Sequence, residues 1–209
     1  MHISVLLNEA ITYLNLNDKS IIVDATLGYA GHSSVILKKI KNGYLYAFDQ
    51  DIEAINASQD KLSKIASNYE IIKSNFVNIK DELNKRNVKY VDGILYDLGV
   101  SSPQLDVADR GFSFHKDAPL DMRMDRGKSI SAYEVVNTFA LEDLTRIFRE
   151  YGEEEYAYSI AKAIIKYRET KNIETTLELV SIPLLNIDIV VISFPILISA
   201  PVSSSISSS

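Results

Sequence analysis

The stretch VDATLGYAGHSS, residues 23–34, constrains the fold of this chain more than any other. It reads as the end of a buried strand (Ile21–Asp24), a loop that contains Gly28 and Gly31, and the start of a helix near Ser33. A loop between a strand and a helix presents free backbone N–H groups, which suit an anion or a polar small molecule. The stretch therefore predicts an α/β fold with a ligand site at the carboxyl end of the first strand.

The same alternation of strand and helix continues to about residue 100. Apolar, β-branched or aromatic runs predict strands at Ile21–Asp24, Tyr44–Phe48, Ile71–Lys73 and Gly93–Leu98. Between and before them, helical patterns cover residues 4–14, Ser33–Ile40, Ile52–Ile65 and Val77–Lys85. Strands that alternate with helices indicate βαβ units, so we expect a parallel sheet covered on both faces.

The pattern changes after residue 100. Residues 101–128 are rich in Ser, Pro, Asp, Arg and Gly without a period, which predicts an irregular and functional segment. Helices are predicted from residue 130 to about 180, for example Leu141–Tyr151 and Glu153–Arg168. Residues 182–202 are almost wholly apolar, but three prolines, one Asp and the lack of flanking Lys or Arg disfavour a membrane span. A buried strand at Asp188–Phe194 is the alternative, followed by a disordered serine-rich end.

Composition excludes some classes of site. The chain has no cysteine, so it forms no disulfide or thiolate metal site, and its three scattered histidines predict no metal centre. The net charge of −6 disfavours a non-specific nucleic-acid binder, although a local basic surface stays compatible with it. The amino end lacks a basic region followed by an apolar stretch, so the sequence predicts a cytoplasmic protein.

The loop itself narrows the ligand class. Gly28-Tyr29-Ala30-Gly31 lacks the following Lys-Ser/Thr of a P-loop, and Ala30 departs from the G-x-G-x-x-G fingerprint. Asp49 closes the second predicted strand, where a carboxylate can accept both hydroxyls of a ribose. The alternative, a helix cap, suits Asp51 better. The loop and Asp49 together predict a nucleoside pocket, which fits both NAD and S-adenosylmethionine.

Longer motifs distinguish between these cofactors. They include VLLNEA near the start, D-x-T-x-G-x-x-G-H-S at the loop, Asn75-Phe76, DLGVSSPQLD after the fourth strand, RGFSF, PLDMRMD and Tyr151-Gly152-Glu153-Glu154. In this order, from about Val5 to Val180, the chain resembles the RsmH (MraW) family of S-adenosylmethionine-dependent rRNA methyltransferases. An NAD-dependent oxidoreductase is the alternative that these motifs disfavour.

The resemblance implies a fold and an activity. The fold is a Rossmann-like methyltransferase sheet, incomplete at the carboxyl end, with an inserted small helical domain. Residues 1–100 would bind S-adenosylmethionine, residues 101–180 would form the substrate loop and helical insertion, and residues 181–209 are an atypical apolar and serine-rich tail. Family members methylate the exocyclic N4 amine of one cytidine in the decoding region of 16S rRNA.

The resemblance also implies a residue set for the cofactor. Carried over by position, its members are Gly28, Ala30, Gly31, His32, Asp49, Phe76, Asp97 and Gln104. Asp97 is also the candidate catalytic residue, because an acceptor near the amine hydrogens helps a delocalised lone pair to attack. Three structural alternatives remain open: Phe76 as a core residue, His32 as a helix-start residue without a ring contact, and Asp97 as the anchor of the 98–102 turn.

Residues 110–128 are the candidate RNA contact. Five basic residues against three acids give this segment a local charge of +2 in an acidic chain. Flipped bases are recognised by aromatic and Arg planes, so Arg110, Phe112 and Arg123 are predicted to contact 16S rRNA of the small ribosomal subunit. The alternative is that Arg123 and its acidic neighbours form internal salt bridges.

Two departures from the family pattern matter. Ala30 replaces a glycine, and the later family motifs F-Q-A-x-R-I and S-F-H-S-L-E-D do not occur in this sequence. The motifs that are present favour an active methyltransferase. The missing ones favour a truncated non-catalytic remnant that binds cofactor or RNA weakly. The oligomeric state stays open, with a homodimer as one option.

Overall fold

Four parallel strands, in the order β3-β2-β1-β4, form the sheet of the amino-terminal half. In the computed structural model, which describes residues 4–182, the strands are β1 (Ile21–Asp24), β2 (Tyr44–Asp49), β3 (Tyr69–Lys73) and β4 (Gly93–Leu95). β1 pairs with β2 from Ile21 opposite Tyr44 and with β4 from Ile22 opposite Gly93. The predicted parallel α/β sheet is therefore confirmed.

Helices cover both faces of this sheet. They are α1 (Leu7–Tyr13), α2 (Gly31–Lys39), α3 (Ile52–Leu62) and α4 (Ile79–Lys85), the last preceded by a 3₁₀ turn at Phe76–Asn78. Successive residues of a strand point to opposite faces. Ile22 accordingly joins a core cluster with Ile36 and Leu37 of α2, and Val23 joins a second cluster with Ile79 of α4.

The predicted end of the fourth strand is wrong. The sequence predicts Gly93–Leu98, but β4 ends at Leu95, whose carbonyl accepts the last ladder bond from the Ala25 N–H at 2.8 Å. The Asp97 N–H donates instead to the hydroxyl of Thr26 at 2.7 Å. A side-chain acceptor thus draws the chain out of the ladder, which strand propensity does not reveal.

The second half of the described chain is helical. The chain divides into two compact units between Ser101 and Ser102. The helices of the second unit are α5 (Ser102–Asp106), α6 (Ala132–Thr138), α7 (Leu141–Arg146), α8 (Ala157–Arg168) and α9 (Thr176–Val180), with a 3₁₀ turn at Ala108–Arg110 and a π-helical turn at Ile147–Tyr151. The irregular segment predicted at 101–128 is therefore wrong at its start, where a proline in the first helical turn is compatible with α5.

The start of α8 also differs from the prediction. The sequence predicts a helix from Glu153, but α8 begins at Ala157. Glu153 has a left-handed φ of 49°, and the Glu154 N–H donates to the carbonyl of Phe148 at 3.1 Å. The chain therefore turns after the π-helical segment before α8 begins.

Within residues 4–182, no helix has the length and apolar character of a membrane span. Across those same residues, no group of three or more His, Asp or Glu side chains is arranged to hold a metal ion. Two predictions lie outside the described residues: the strand at Asp188–Phe194 and the serine-rich end. The apolar stretch 182–202, discussed as a membrane span, also lies outside them except for its first residue.

Candidate functional site

The loop between β1 and α2 has a left-handed backbone at two positions. Gly28 has φ 50° and Ala30 has φ 54°. The Leu27 N–H donates to the carbonyl of Phe48 at 2.8 Å, which ties the loop to β2. α2 then begins at Gly31, so the loop ends at a helix start as predicted.

Ala30 allows a test of the loop geometry. Ala30→Gly relieves a left-handed conformation that costs alanine roughly 1–2 kcal/mol. Two losses offset this gain: a buried methyl group, worth about 0.8 kcal/mol, and the backbone entropy of glycine, about 0.5–1 kcal/mol. We expect the free energy of unfolding in urea to change by less than about 1 kcal/mol. Ala30→Val, a β-branched residue at a fully buried left-handed position, should lose at least about 2 kcal/mol.

The matched control is Ala57→Gly on the exposed face of α3. It should lose about 1 kcal/mol, the ordinary helix-interior cost of glycine. If Ala30→Gly lowers the free energy of unfolding by as much as Ala57→Gly or by more, the left-handed conformation does not strain Ala30.

Asp49 lies beside this loop. It ends β2, and its carboxylate accepts the Gly28 N–H at 2.8 Å through Oδ2 and the Asp51 N–H at 2.9 Å through Oδ1. Burial raises the pKa of Asp49, while the N–H bonds from Asp51 and Gly28 oppose that rise. Asp51 caps α3 by accepting the Glu53 N–H at 3.0 Å, which confirms the prediction that Asp51 is the helix cap. The contact of Asp49 with a ribose stays a prediction.

α3 supports the loop through two contacts that the sequence does not predict. The Ser58 hydroxyl donates to the carbonyl of Gly28 at 2.7 Å, and the Lys61 ammonium donates to the carbonyl of Tyr29 at 3.0 Å. Both acceptors are main-chain atoms, which carry no signal in the sequence. The loop is therefore held from β2 and from α3.

Asp24 is the buried anchor below the loop. It is 1% exposed, and its carboxylate accepts the Ser33 hydroxyl at 2.6 Å and the Thr26 N–H at 3.2 Å. Burial raises the pKa of Asp24, and the hydrogen bonds from Ser33 and Thr26 oppose this. Asp24 thus joins β1, the loop and the first turn of α2.

Asp97 follows β4 at the same edge of the sheet. Its N–H is held by Thr26, and its side chain is 43% exposed. The Nδ1 atom of His32 lies 3.6 Å from Oδ2 of Asp97. His32, in the first turn of α2, is therefore more than a helix-start residue, because its ring faces the predicted catalytic carboxylate.

Two aromatic rings meet near the ends of β3 and β4. Phe76 begins the 3₁₀ turn after β3 and packs against the cluster of Val23 and Ile79. Its ring contacts that of Tyr96 edge to face, with centroids 5.8 Å apart and planes at 89°. Tyr96 is about half exposed and is not among the predicted site residues. Phe76 thus has the core contacts of the structural alternative as well as an aromatic neighbour at this edge.

Gln104 lies in the second unit, where it is buried. Its side-chain amide donates to the sulfur of Met124 at 3.2 Å. Its predicted cofactor contact stays a prediction.

The residues predicted to contact RNA have partners within the second unit. Arg110 is 2% exposed; its guanidinium donates to the carbonyl of Arg123 at 3.0 Å and lies 5.7 Å from the ring centroid of Phe112, which is also buried. Arg123 forms two parallel bonds to Asp121, at 2.7 and 2.9 Å. Burial alone raises the pKa of Asp121, but the bonds from Arg123 outweigh it and lower that pKa. Internal pairing, the alternative reading of Arg123, is present, and RNA contact by these residues stays a prediction.

In the first unit, the structure brings together most of the predicted residues. Asp49, the loop from Gly28 to His32, and Asp97 lie at the carboxyl ends of β2, β1 and β4, which are neighbours in the sheet. Ligands of open α/β sheets bind at such strand ends, where the connections diverge to either side. The arrangement offers carboxylate acceptors on two sides of a glycine loop, which suits a ligand that carries hydroxyl and amine groups.

Comparisons with known proteins identify relatives of this chain. The ribosomal RNA small subunit methyltransferase H of Mesoplasma florum is 55% identical over 87% of this chain and 58% of its own length. That of Clostridioides difficile is 52% identical with the same coverage. The chain thus spans a little over half the length of these curated relatives. A solved rRNA methylase from Streptococcus thermophilus is 28% identical over 39% of this chain and 50% of that chain, with a TM-score of 0.34.

The family model for the MraW methylase family matches residues 1–187. This match covers most of the 209 residues and includes both units of the described structure. The chain belongs to the MraW methylase family.

Proposed function

We propose that this chain takes part in the transfer of a methyl group from S-adenosylmethionine to the exocyclic N4 amine of a cytidine in the decoding region of 16S rRNA. The observation that carries the proposal is the neighbourhood of three strand ends, with Asp49 bonded to the Gly28 N–H and Asp97 beside His32. The relatives are named as methyltransferases of small-subunit ribosomal RNA, and the choice of cytidine N4 rests on the family resemblance. A ribosomal substrate places the reaction in the cytoplasm.

The residues present fit the cofactor. The carboxylate of Asp49 accepts N–H bonds from Gly28, Asp51 and Gln50 and has about four acceptor sites, so it keeps capacity for a ribose hydroxyl. A Cβ added to Gly28 would meet no atom closer than the Thr26 carbonyl oxygen at 3.9 Å, so a ligand can approach that backbone. The loop from Gly28 to His32 would hold the methionine end, and Phe76 would lie near the adenine.

The chemistry asks mainly for positioning. S-adenosylmethionine supplies a methyl group that its sulfonium already activates. The cytosine N4 lone pair is delocalised into its ring, so the chain must hold the amine in line and accept its hydrogen bond. We assign that acceptor to Asp97, whose half-exposed carboxylate can take the amine proton directly or through water.

We assign RNA binding to the second unit and cofactor binding to the first. The second unit carries the segment 110–128, in which Arg126 has a half-exposed side chain and Lys116 and Lys128 are exposed. These cations can contact RNA phosphates, which position the strand without reading its sequence. The target base would leave its stack to react.

The first test is a thermal or denaturant melt of the chain with and without S-adenosylmethionine. At about 100 times the dissociation constant, ligand should add about 2.7 kcal/mol to the free energy of unfolding. NAD at the same concentration is the control and should add nothing. RNA methylation by the shifted protein would then establish the reaction, with small-subunit particles as substrate.

A second candidate function is weak binding of cofactor or RNA by this chain without turnover. The chain spans 58% of the length of the Mesoplasma florum relative, and binding can reside in that part without turnover. A melt that shifts with cofactor, together with no methyl transfer to small subunits, would identify it. A melt that does not shift would overturn cofactor binding by this chain.

A further inference from the structure

His32 lies between two oxygen atoms of different character. Its Nε2 is 3.1 Å from the main-chain carbonyl oxygen of Val5, and its Nδ1 is 3.6 Å from Oδ2 of Asp97. The side chain of His32 is 7% exposed, so water replaces neither contact readily. The two ring nitrogens therefore connect the amino-terminal segment to the predicted catalytic carboxylate.

The contact with Val5 fixes the chemistry of the ring. A carbonyl oxygen only accepts hydrogen bonds, so Nε2 must carry the hydrogen. Nδ1 then faces Asp97 either with a lone pair, which a carboxylate repels, or with a second hydrogen, which it attracts. The Nδ1···Oδ2 contact is therefore attractive when one proton lies between the two side chains.

The position of Val5 is itself set by packing. A Cβ added to Gly31 would lie 1.7 Å from the Ser4 hydroxyl oxygen, so the amino-terminal segment occupies the space beside the first residue of α2. This close approach is what brings the Val5 carbonyl to His32. A glycine at 31 thus serves the orientation of the adjacent histidine.

We infer that His32 is a positioning residue for Asp97. It acts through that carboxylate by engaging Oδ2, which leaves Oδ1 for the target amine, while Val5 prevents the ring from turning away. The inference rests on the proposed function for its catalytic meaning, but its geometry does not depend on turnover. The competing view is that His32 only anchors the amino-terminal segment.

Two substitutions separate these views, because each keeps one of the two ring contacts. In His32→Asn, the side-chain amide places a donor near the Nδ1 position, toward Asp97. In His32→Gln, the longer side chain places it near the Nε2 position, toward Val5. Both residues are short polar replacements at one helix position, so a melt of each variant controls for folding.

We expect His32→Gln to lower kcat on the order of tenfold more than His32→Asn does, because only the Asn variant keeps a donor toward Asp97. In an Asp97→Ala background, His32→Gln should have almost no further effect, since the two residues act as a unit. Retained turnover in His32→Gln with loss in His32→Asn would overturn the inference. Equal loss of cofactor affinity in both would also overturn it.

A spectroscopic readout keeps the inference testable if the chain proves inactive. The chain has three histidines, so the imidazole nitrogens of His32 can be assigned in ¹⁵N spectra with single variants. We expect a hydrogen on Nε2 and a change of the His32 ring signals in Asp97→Asn, but not in Asp60→Asn on the exposed face of α3. A bare Nε2, or ring signals that ignore Asp97→Asn, would refute the contact whatever the outcome for methylation.

Discussion

Asp49→Ala should lower the affinity for S-adenosylmethionine by at least about 100-fold, which corresponds to about 2.8 kcal/mol at 1.4 kcal/mol per tenfold. The carboxylate is the proposed ribose acceptor, and it also closes the loop by accepting the N–H of Gly28. Its removal takes away ligand contacts and leaves the Gly28 and Asp51 N–H groups without their acceptor. Titration calorimetry of the parent and the variant measures the change directly.

Two variants make this result specific. Asp60→Ala, on the exposed face of α3, removes the same charge from the same unit and should leave the affinity unchanged. Asp49→Asn should fall between parent and Ala, because one carboxylate oxygen becomes an amide that donates and no longer accepts. An unchanged affinity in Asp49→Ala would show that the ribose is held elsewhere.

Asp97→Ala should reduce kcat for RNA methylation by roughly 10²–10⁴-fold, the usual contribution of a positioned general base. Its side chain lies beside His32 and is partly open to solvent, while its main-chain N–H is held by Thr26. Because that backbone bond does not need the carboxylate, the turn after β4 should persist in the variant. Single-turnover assays with saturating cofactor measure the loss.

The cofactor-induced melt shift serves as the control for Asp97. Asp97 is predicted to contact the cofactor as well as the amine, so the shift should fall by at most about 1.4 kcal/mol, a tenfold loss of affinity, while kcat falls by at least about 100-fold. A large loss of the shift with little change in kcat would leave Asp97 a role in cofactor binding alone. A variant that retains full turnover would remove it from the catalytic role.

The strands show what the sequence predicts well. β1 matches its predicted bounds, and β2 extends to Asp49 as its closing acid, because continuous apolar runs ending in Asp are strong signals of buried parallel strands. β4 ends three residues earlier than predicted because Thr26, distant in sequence, accepts the Asp97 N–H. Such a bond depends on tertiary contact, which propensity does not encode.

The site residues also divide into contacts that the sequence predicts and contacts that it does not. The spacing of Gly28 and Asp49 predicts that they lie together, and they share a hydrogen bond. The supports of the loop, Ser58 and Lys61, donate to main-chain carbonyls and leave no pattern to read. Arg123 shows a further limit: a basic residue near acids in the sequence suits RNA or an internal pair equally, and only the bidentate geometry with Asp121 distinguishes the second.

The strand order has a consequence for the nascent chain. β1 lies between β2 and β4, and the bond from the Asp97 N–H to Thr26 joins residues 71 positions apart. Pairings this distant form slowly. All three carboxylates at the strand ends are nevertheless synthesised before residue 102, so translation of residues 102–209 gives this sheet roughly 5–22 s to form at 5–20 residues per second. Cofactor present during translation would capture the first unit as it folds, and should raise the yield of folded protein more than cofactor added afterwards.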